Sequence, residues 1–278
     1  IQHAMFLPEA SARAVQIAVS PESGGACSLE TYSMPAEGEA VEARWSLHAA
    51  GAVRRGQTVP PADVTVVDLD EVRGRTVKTH THDEFYQDIM RNRGLVYGPA
   101  FQPIHFVVRT PIDALAEVRL PAAVQGDLAG YSLHPALGDA MFQATSGMIP
   151  LEEDGSYSPY TYMPMGARRV RVLGPVSEGR YAYAVRRSLD NRPSPESVEG
   201  DVLLVDDQGR VLVEMLGIRL QRVGHGRTAQ RESDLQQWLY QVGWEPAALK
   251  PQAPATRTGR WLIFADRQGV GQQLASDL

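Results

Sequence analysis

The stretch YSLHPALGDAMFQATSG, residues 131–147, holds a carboxylate among apolar and small residues. Pro135 suits the first turn of a helix and Gly147 its end, so a helix is expected over 133–147. On that helix Asp139 and Gln143 are four residues apart and share a face, which lets Gln143 orient the Asp139 carboxyl by a hydrogen bond. If the face is apolar, lost hydration raises the aspartate pKa. A carboxylic acid kept protonated can hand its proton to a departing hydroxyl, which is general acid catalysis. The alternative is a solvated helix face beside Gly138, and the pattern alone leans slightly that way. His134, just before Pro135, reads either as a site residue or as a residue at the helix start satisfied by backbone groups.

Other candidate chemistry is weaker. THTHDE (79–84) has a metal-like look, but a His-x-His-x-Asp-His hydrolase pattern needs Asp and His where Glu84 and Phe85 stand. No metal site is expected there, and the start of a helix is the better reading. Cys27 has no supporting nucleophile motif, and no Gly-x-Ser-x-Gly elbow occurs. QGVGQQL (268–274) has two glycines where a dinucleotide-binding turn has three. In GARRVRV (166–172), Arg169 and Arg171 would lie on one side of a strand and could meet an acidic partner; an exposed charged face is the alternative.

The elements around the Asp139 helix are mostly strands. AVQIAVS (14–20), SLETYSM (28–34) and ARWSLHAAG (43–51) alternate as half-buried antiparallel strands do, with PESGG as a turn. In HDEFYQDIMRNRG (82–94), Phe85, Ile89 and Met90 recur at helical spacing and Gly94 is a stop. A Gly-Pro turn follows in LVYGPAFQPIHFVVRT (95–110), then strands in 113–121, 161–174, 180–188 and 201–223, the last with Asp207-Gln208-Gly209 as a hairpin turn. Strands around one central helix predict an α+β fold with a mostly antiparallel sheet. After Val223 the polar GHGRTAQRESD reads as a linker, and 260–278 as strand, glycine turn and helix.

Length, charge and cysteine content bound the function. The 278 residues suit one large or two modest domains, and no apolar run is long enough to span a bilayer. No signal peptide pattern opens the sequence, and a single cysteine suits a reducing cytoplasm. A net charge of −6 argues against nucleic acid as the main partner.

Three segments in order resemble one family. LVYGPAFQ resembles the Tyr-Gly-Pro-x-Phe motif of polyketide synthase dehydratase domains. LHPALGDAMFQA is similar to their His-Pro-Ala-Leu-x-Asp-x-x-x-Gln helix, and YMPMGARRVRV to the strand that follows. AVQIAV, TYSM and WSLHAAG fit the first half of the same domain, so the resemblance covers roughly 5–225. The tail WLYQVGWEP…GRWLIFADRQGVG resembles the beginning of a ketoreductase structural subdomain.

The resemblance implies a double hot-dog fold, with 1–84 as the remainder of a first hot-dog, 85–224 as a second carrying the Asp139 helix, and 225–278 as linker and ketoreductase-like subdomain. It implies removal of water from a β-hydroxyacyl chain carried on the phosphopantetheine of an acyl carrier protein, with no cofactor bound by the domain itself. Asp139 would be the acid and Gln143 its assistant, while Tyr97, Gly98, Pro99 and His134 would bind substrate. Expected partners are the acyl carrier protein, docking near Arg168, Arg169 and Arg171, neighbouring synthase domains and a second copy of the chain. The family's base is a histidine in a His-x-x-x-Gly-x-x-x-x-Pro motif, and none of the seven histidines here (3, 48, 80, 82, 105, 134, 225) fits it. The base, with the first strands and first central helix, is therefore expected outside this sequence. The alternatives are a non-catalytic scaffold and a relative that also cyclises or isomerises.

Overall fold

A computed structural model describes residues 1–7, 12–35, 45–56, 65–126, 128–188, 190–225, 263 and 269–277. The chain divides into two units, Ile1–Gln236 and Gln237–Leu278. In the second, the described helix Val270–Asp277 follows Gly269, whose φ of 92° is a glycine conformation. The remainder of the tail, including the linker and most of the ketoreductase-like segment, lies outside the described residues.

In the first unit, the alternating segments form β1 (Arg13–Pro21), β2 (Ala26–Pro35) and β3 (Ser46–Arg54), an antiparallel three-stranded sheet in that order. Gly24 and Gly25, both at positive φ, make the β1–β2 turn. The pairing matches the alternation, but the half-burial does not follow: Val15, Ile17 and Val19 of β1 are exposed, because no described helix covers them.

An eight-stranded antiparallel sheet forms the rest. Its strands are β4 (Lys78–Thr81), β5 (Ile104–Arg109), β6 (Asp113–Val118), β7 (Tyr160–Gly166), β8 (Arg169–Val172), β9 (Tyr181–Arg186), β10 (Ser197–Val205) and β11 (Val211–His225). The order is β4-β5-β6-β9-β10-β11-β7, with β8 also on β11. Helix α1 (Leu69–Gly74), capped by Asp68, packs Leu69 and Val72 on one face against Val108, Leu115, Val205 and Val211. A short helix, α2 (Ala122–Gln125), and α3 (Pro135–Ala144) follow β6. The other face curls around α3, as in a hot-dog fold, and encloses the main core.

Residue 85 is not where this sheet begins. Val67 donates its N–H to the Gly209 carbonyl, and β4 pairs with β5, so residues 65–81 are already attached to the eight-stranded sheet. Four-residue KTHT is too short and polar to read as a strand, yet it completes the edge.

Small residues let the helix sit close. Ala114, Ala116, Ala182 and Ala184 line the sheet beneath α3, all without exposure. Gly147, expected to close α3, instead lies in a 3₁₀ turn Thr145–Met148; a Cβ there would stand 2.2 Å from the Ala114 Cβ. Its role is close approach and not a left-handed cap. The β10–β11 hairpin turns as expected, with Gly209 at φ 77° and the Asp206 carboxylate accepting the N–H groups of Gln208 and Arg210.

Residues 1–3 join the two sheets. The Ile1 amino group donates to the Met165 carbonyl in β7, while Gln2 N–H donates to the His48 carbonyl in β3.

Candidate active site

Helix α3 begins where the chain leaves an extended His134, and Pro135 needs no hydrogen-bond acceptor at that position. His134 Nδ1 accepts the Ala136 N–H at 3.2 Å, and Tyr131 packs edge-on against its ring. This histidine is a helix cap and does not line the cavity described below. Of the two readings of His134, the residue at the helix start is the one whose hydrogen bond is seen.

One turn further on, Asp139 is half-buried, and Gln143 Nε2 donates to its Oδ2 at 2.6 Å. The orientation of that amide is fixed by groups with no choice of role. The Phe101 carbonyl can only accept, and it takes a hydrogen from Gln143 Nε2 at 2.9 Å. On the other side, Ile104 N–H can only donate, and it donates to the Tyr86 hydroxyl at 3.0 Å. The Tyr86 proton then goes to Gln143 Oε1 at 2.6 Å. Backbone polarity therefore reaches the carboxyl of Asp139 through Tyr86 and Gln143. Burial pushes the Asp139 pKa above the ordinary aspartate range, and the Gln143 hydrogen bond opposes part of that rise.

Tyr86 was not apparent as a site residue. It lies in a π-helical segment, Glu84–Met90, among the buried Phe85, Ile89 and Met90 that mark the expected helix. Irregular helical turns of this kind often occur at functional sites. Thr81 and Glu84 start the segment by exchanging capping-box hydrogen bonds, and Gly94 at φ 77° ends it. THTHDE is thus the end of β4 running directly into the start of a helix. Among the described residues, no group of three or more His, Cys, Asp or Glu is placed to hold a metal ion.

The Gly98-Pro99 turn acts at one remove. Both residues are exposed, and Pro99 opens a 3₁₀ turn, Pro99–Phe101, that brings the Phe101 carbonyl onto Gln143. Gln102 pins the turn by donating from its side chain to the Tyr97 carbonyl at 2.7 Å. Tyr97 packs edge-on against Tyr86 and lines the cavity with Asp139; burial and the nearby Asp139 charge raise its pKa.

That cavity has a volume of about 140 Å³. Asp139, Gln143, Tyr97 and Arg93 are its polar side chains of note, against an apolar wall that includes Met90, Leu95, Phe142 and Ile149. Arg93 and Arg109 are each only 2% exposed, and both lie over the Tyr157 ring. No described histidine side chain lines the cavity. His80 is hydrogen-bonded to Tyr157, His82 donates to the Ile104 carbonyl at 2.8 Å, and His48 is bound to Ser33 in the three-stranded sheet.

The arginine strand meets its acid within the same sheet. Arg169 and Arg171 of β8 both reach Glu214 of β11, at 3.4 and 2.5 Å.

Comparison with known proteins agrees with this arrangement. Residues 35–230 match the polyketide synthase dehydratase N-terminal domain family. The chain belongs to the polyketide synthase dehydratase family. It is 27% identical over 263 residues to the polyketide synthase PksM of Bacillus subtilis, covering 92% of this chain and 6% of that protein. It is 32% identical over 177 residues to the phthioceranic/hydroxyphthioceranic acid synthase of Mycobacterium tuberculosis H37Rv, covering 62% of this chain and 8% of the relative. The dehydratase domain thus spans only a small part of these curated relatives. Among solved structures, the trans-AT dehydratase domain from Brevibacillus brevis matches with a TM-score of 0.64 at 26% identity, over 75% of this chain and 69% of that one. The dehydratase from the CurF module of curacin polyketide synthase matches with a TM-score of 0.64 at 28% identity, over 79% and 72%. These matches support the hot-dog description. Among the described residues, no helix is long and apolar enough to cross a membrane.

Proposed function

We propose that this dehydratase domain removes water from a β-hydroxyacyl thioester, with Asp139 as the general acid. One observation carries the reading: a carboxyl group with a raised pKa borders an apolar cavity, in an orientation held by Gln143. A base takes a proton from C2, and the electron pair forms the C2–C3 double bond as the C3–O bond breaks. Asp139 gives its proton to the departing oxygen, so that water leaves and a carboxylate remains. The Gln143 N–H stabilises that carboxylate, because a hydrogen bond to the charged form favours it. Tyr97 shapes the wall beside the reacting carbons, and the Gly98-Pro99 turn acts through the Phe101 carbonyl.

In this reading the base is a histidine from outside residues 1–278, since no described histidine side chain borders the cavity. The acyl chain arrives on the phosphopantetheine of an acyl carrier protein, with no further cofactor, beside a ketoreductase in a dimeric synthase. Arg168, Arg169 and Arg171 remain a candidate docking surface, although Glu214 offsets one of their charges.

The test is Asp139→Asn in the full synthase, followed by conversion of a β-hydroxyacyl pantetheine thioester to its unsaturated product. Loss of a general acid is expected to slow the reaction about 10²–10⁴-fold. Full activity in the variant would refute the assignment. The absence of a histidine side chain from the described cavity wall favours a second reading, a non-catalytic scaffold. No elimination by the wild-type synthase, with the acyl chain still bound, would support that reading instead.

A further inference from the structure

Arg93 borders the same cavity as Asp139 and is almost wholly buried. Its Nε donates to the Ser158 carbonyl at 3.2 Å, and its ring contact is with Tyr157. Its Nη2 is buried and has no hydrogen-bond acceptor among the described residues. No described carboxylate forms an ion pair with it.

The surroundings make that orphan donor more costly. Arg109 lies over the same tyrosine ring, with its own Nε unpartnered, and donates to the carbonyls of Ser146 and Ile149, two cavity-lining residues. Lys78 Nζ stands 5.4 Å from the same ring centroid. Burial and the Arg109 charge lower the Arg93 pKa to about 10, so the guanidinium is still charged at neutral pH. Buried donors are almost always paired, and one left unpaired on a charged group costs more than the usual ~1–3 kcal/mol. A cavity that pairs an apolar wall with the cationic Arg93 is suited to an acceptor oxygen in addition to the one that meets Asp139.

We infer that Arg93 is a specificity residue which hydrogen-bonds a hydroxyl or carbonyl oxygen on the acyl chain, beyond the carbons that react at Asp139. The inference rests on the dehydratase reading and refines it: the substrate class is an acyl chain oxygenated along its length, in preference to a plain alkyl chain. Arg93 acts on substrate choice, while Asp139 carries the proton.

Binding of unreactive pantetheine amides by calorimetry tests this in the full synthase. The probes are the 3-hydroxyoctanoyl amide and its 3,5-dihydroxy and 3,7-dihydroxy counterparts. Wild-type protein is expected to bind at least one dihydroxy probe about tenfold more tightly than the monohydroxy probe, the size of effect a charge-assisted hydrogen bond gives. Arg93→Met should bring the ratio to about one while the monohydroxy probe still binds. Arg93→Lys, which keeps the charge but not the planar fork, should lose most of the preference. A wild-type ratio near one, as for a donor satisfied by water alone, would overturn the inference, as would a preference that survives in Arg93→Met. The wild-type comparison needs no variant, so a folding failure leaves the test standing. Equal dehydration of alkyl and oxygenated substrates would sink this inference alone; an oxygen preference without any dehydration would sink the reaction instead.

Discussion

Replacing Tyr86 by Phe isolates the relay behind Asp139. The ring is retained, with its edge-on contacts to Phe85 and Tyr97 at centroid distances of 5.1 and 5.9 Å. Only the hydroxyl is lost, and two partners lose their bonds with it: the fully buried Ile104 N–H and the Gln143 carbonyl oxygen. A buried group left unsatisfied costs ~1–3 kcal/mol. Two of them, with modest relaxation, cost roughly 2–4 kcal/mol. At about 2–4 °C per kcal/mol for a unit of this size, the melting temperature should fall by roughly 4–16 °C. The titration of Asp139 should move little, because the Phe101 carbonyl still holds Gln143 Nε2 toward the carboxyl. Gln143→Met is the contrast. It removes the donor that lowers the Asp139 pKa, so that pKa should rise further. Thermal unfolding and a ¹³C-carboxyl titration separate the two variants. A Tyr86→Phe protein that melts within about 1 °C of wild type would refute the relay, since a buried orphan pair cannot cost so little.

Other perturbations follow from the same geometry. The Asp139 pKa is raised in the fold, so its contribution to stability is present below the unfolded-state value and lost as pH rises through the folded one. Asp139→Asn should therefore gain stability relative to wild type between acidic and neutral pH, by thermal unfolding across that window; a constant difference would contradict the burial argument. Gly147→Ala should destabilise by ~1–3 kcal/mol in chemical denaturation, because its Cβ would collide with Ala114. His134→Ala should cost about 1 kcal/mol as a lost cap, with ligand affinity unchanged in calorimetry, and a marked loss of affinity would restore it to the binding site.

Asp139 and Gln143 were legible because helical spacing is local: two residues four apart must share a face. Most strands of the two sheets were legible for the same reason, through alternation, while the short, polar β4 was not. Tyr86 and Arg93 were not, because what distinguishes them is contact across the fold. The Tyr86 partner is 57 residues away, and Arg93 donates to a carbonyl 65 residues away. In sequence, Tyr86 is one more apolar-face aromatic and Arg93 one more charge before a glycine. The exposed face of β1 was hidden likewise, since alternation says which side chains point together and nothing about what covers them. Arg169 and Arg171 looked ready for an outside acid because Glu214 lies on another strand.

The alanines beneath α3 leave no slack on that side of the cavity. The sheet holds the helix, and with it Asp139, at a fixed height, so under the proposed function a longer or bulkier acyl chain would gain no room by pushing that residue back. Under that proposal, room for new chains would have to come from other lining positions such as Met90, Leu95, Tyr162 and Met163, whose side chains can change size while Asp139 stays put.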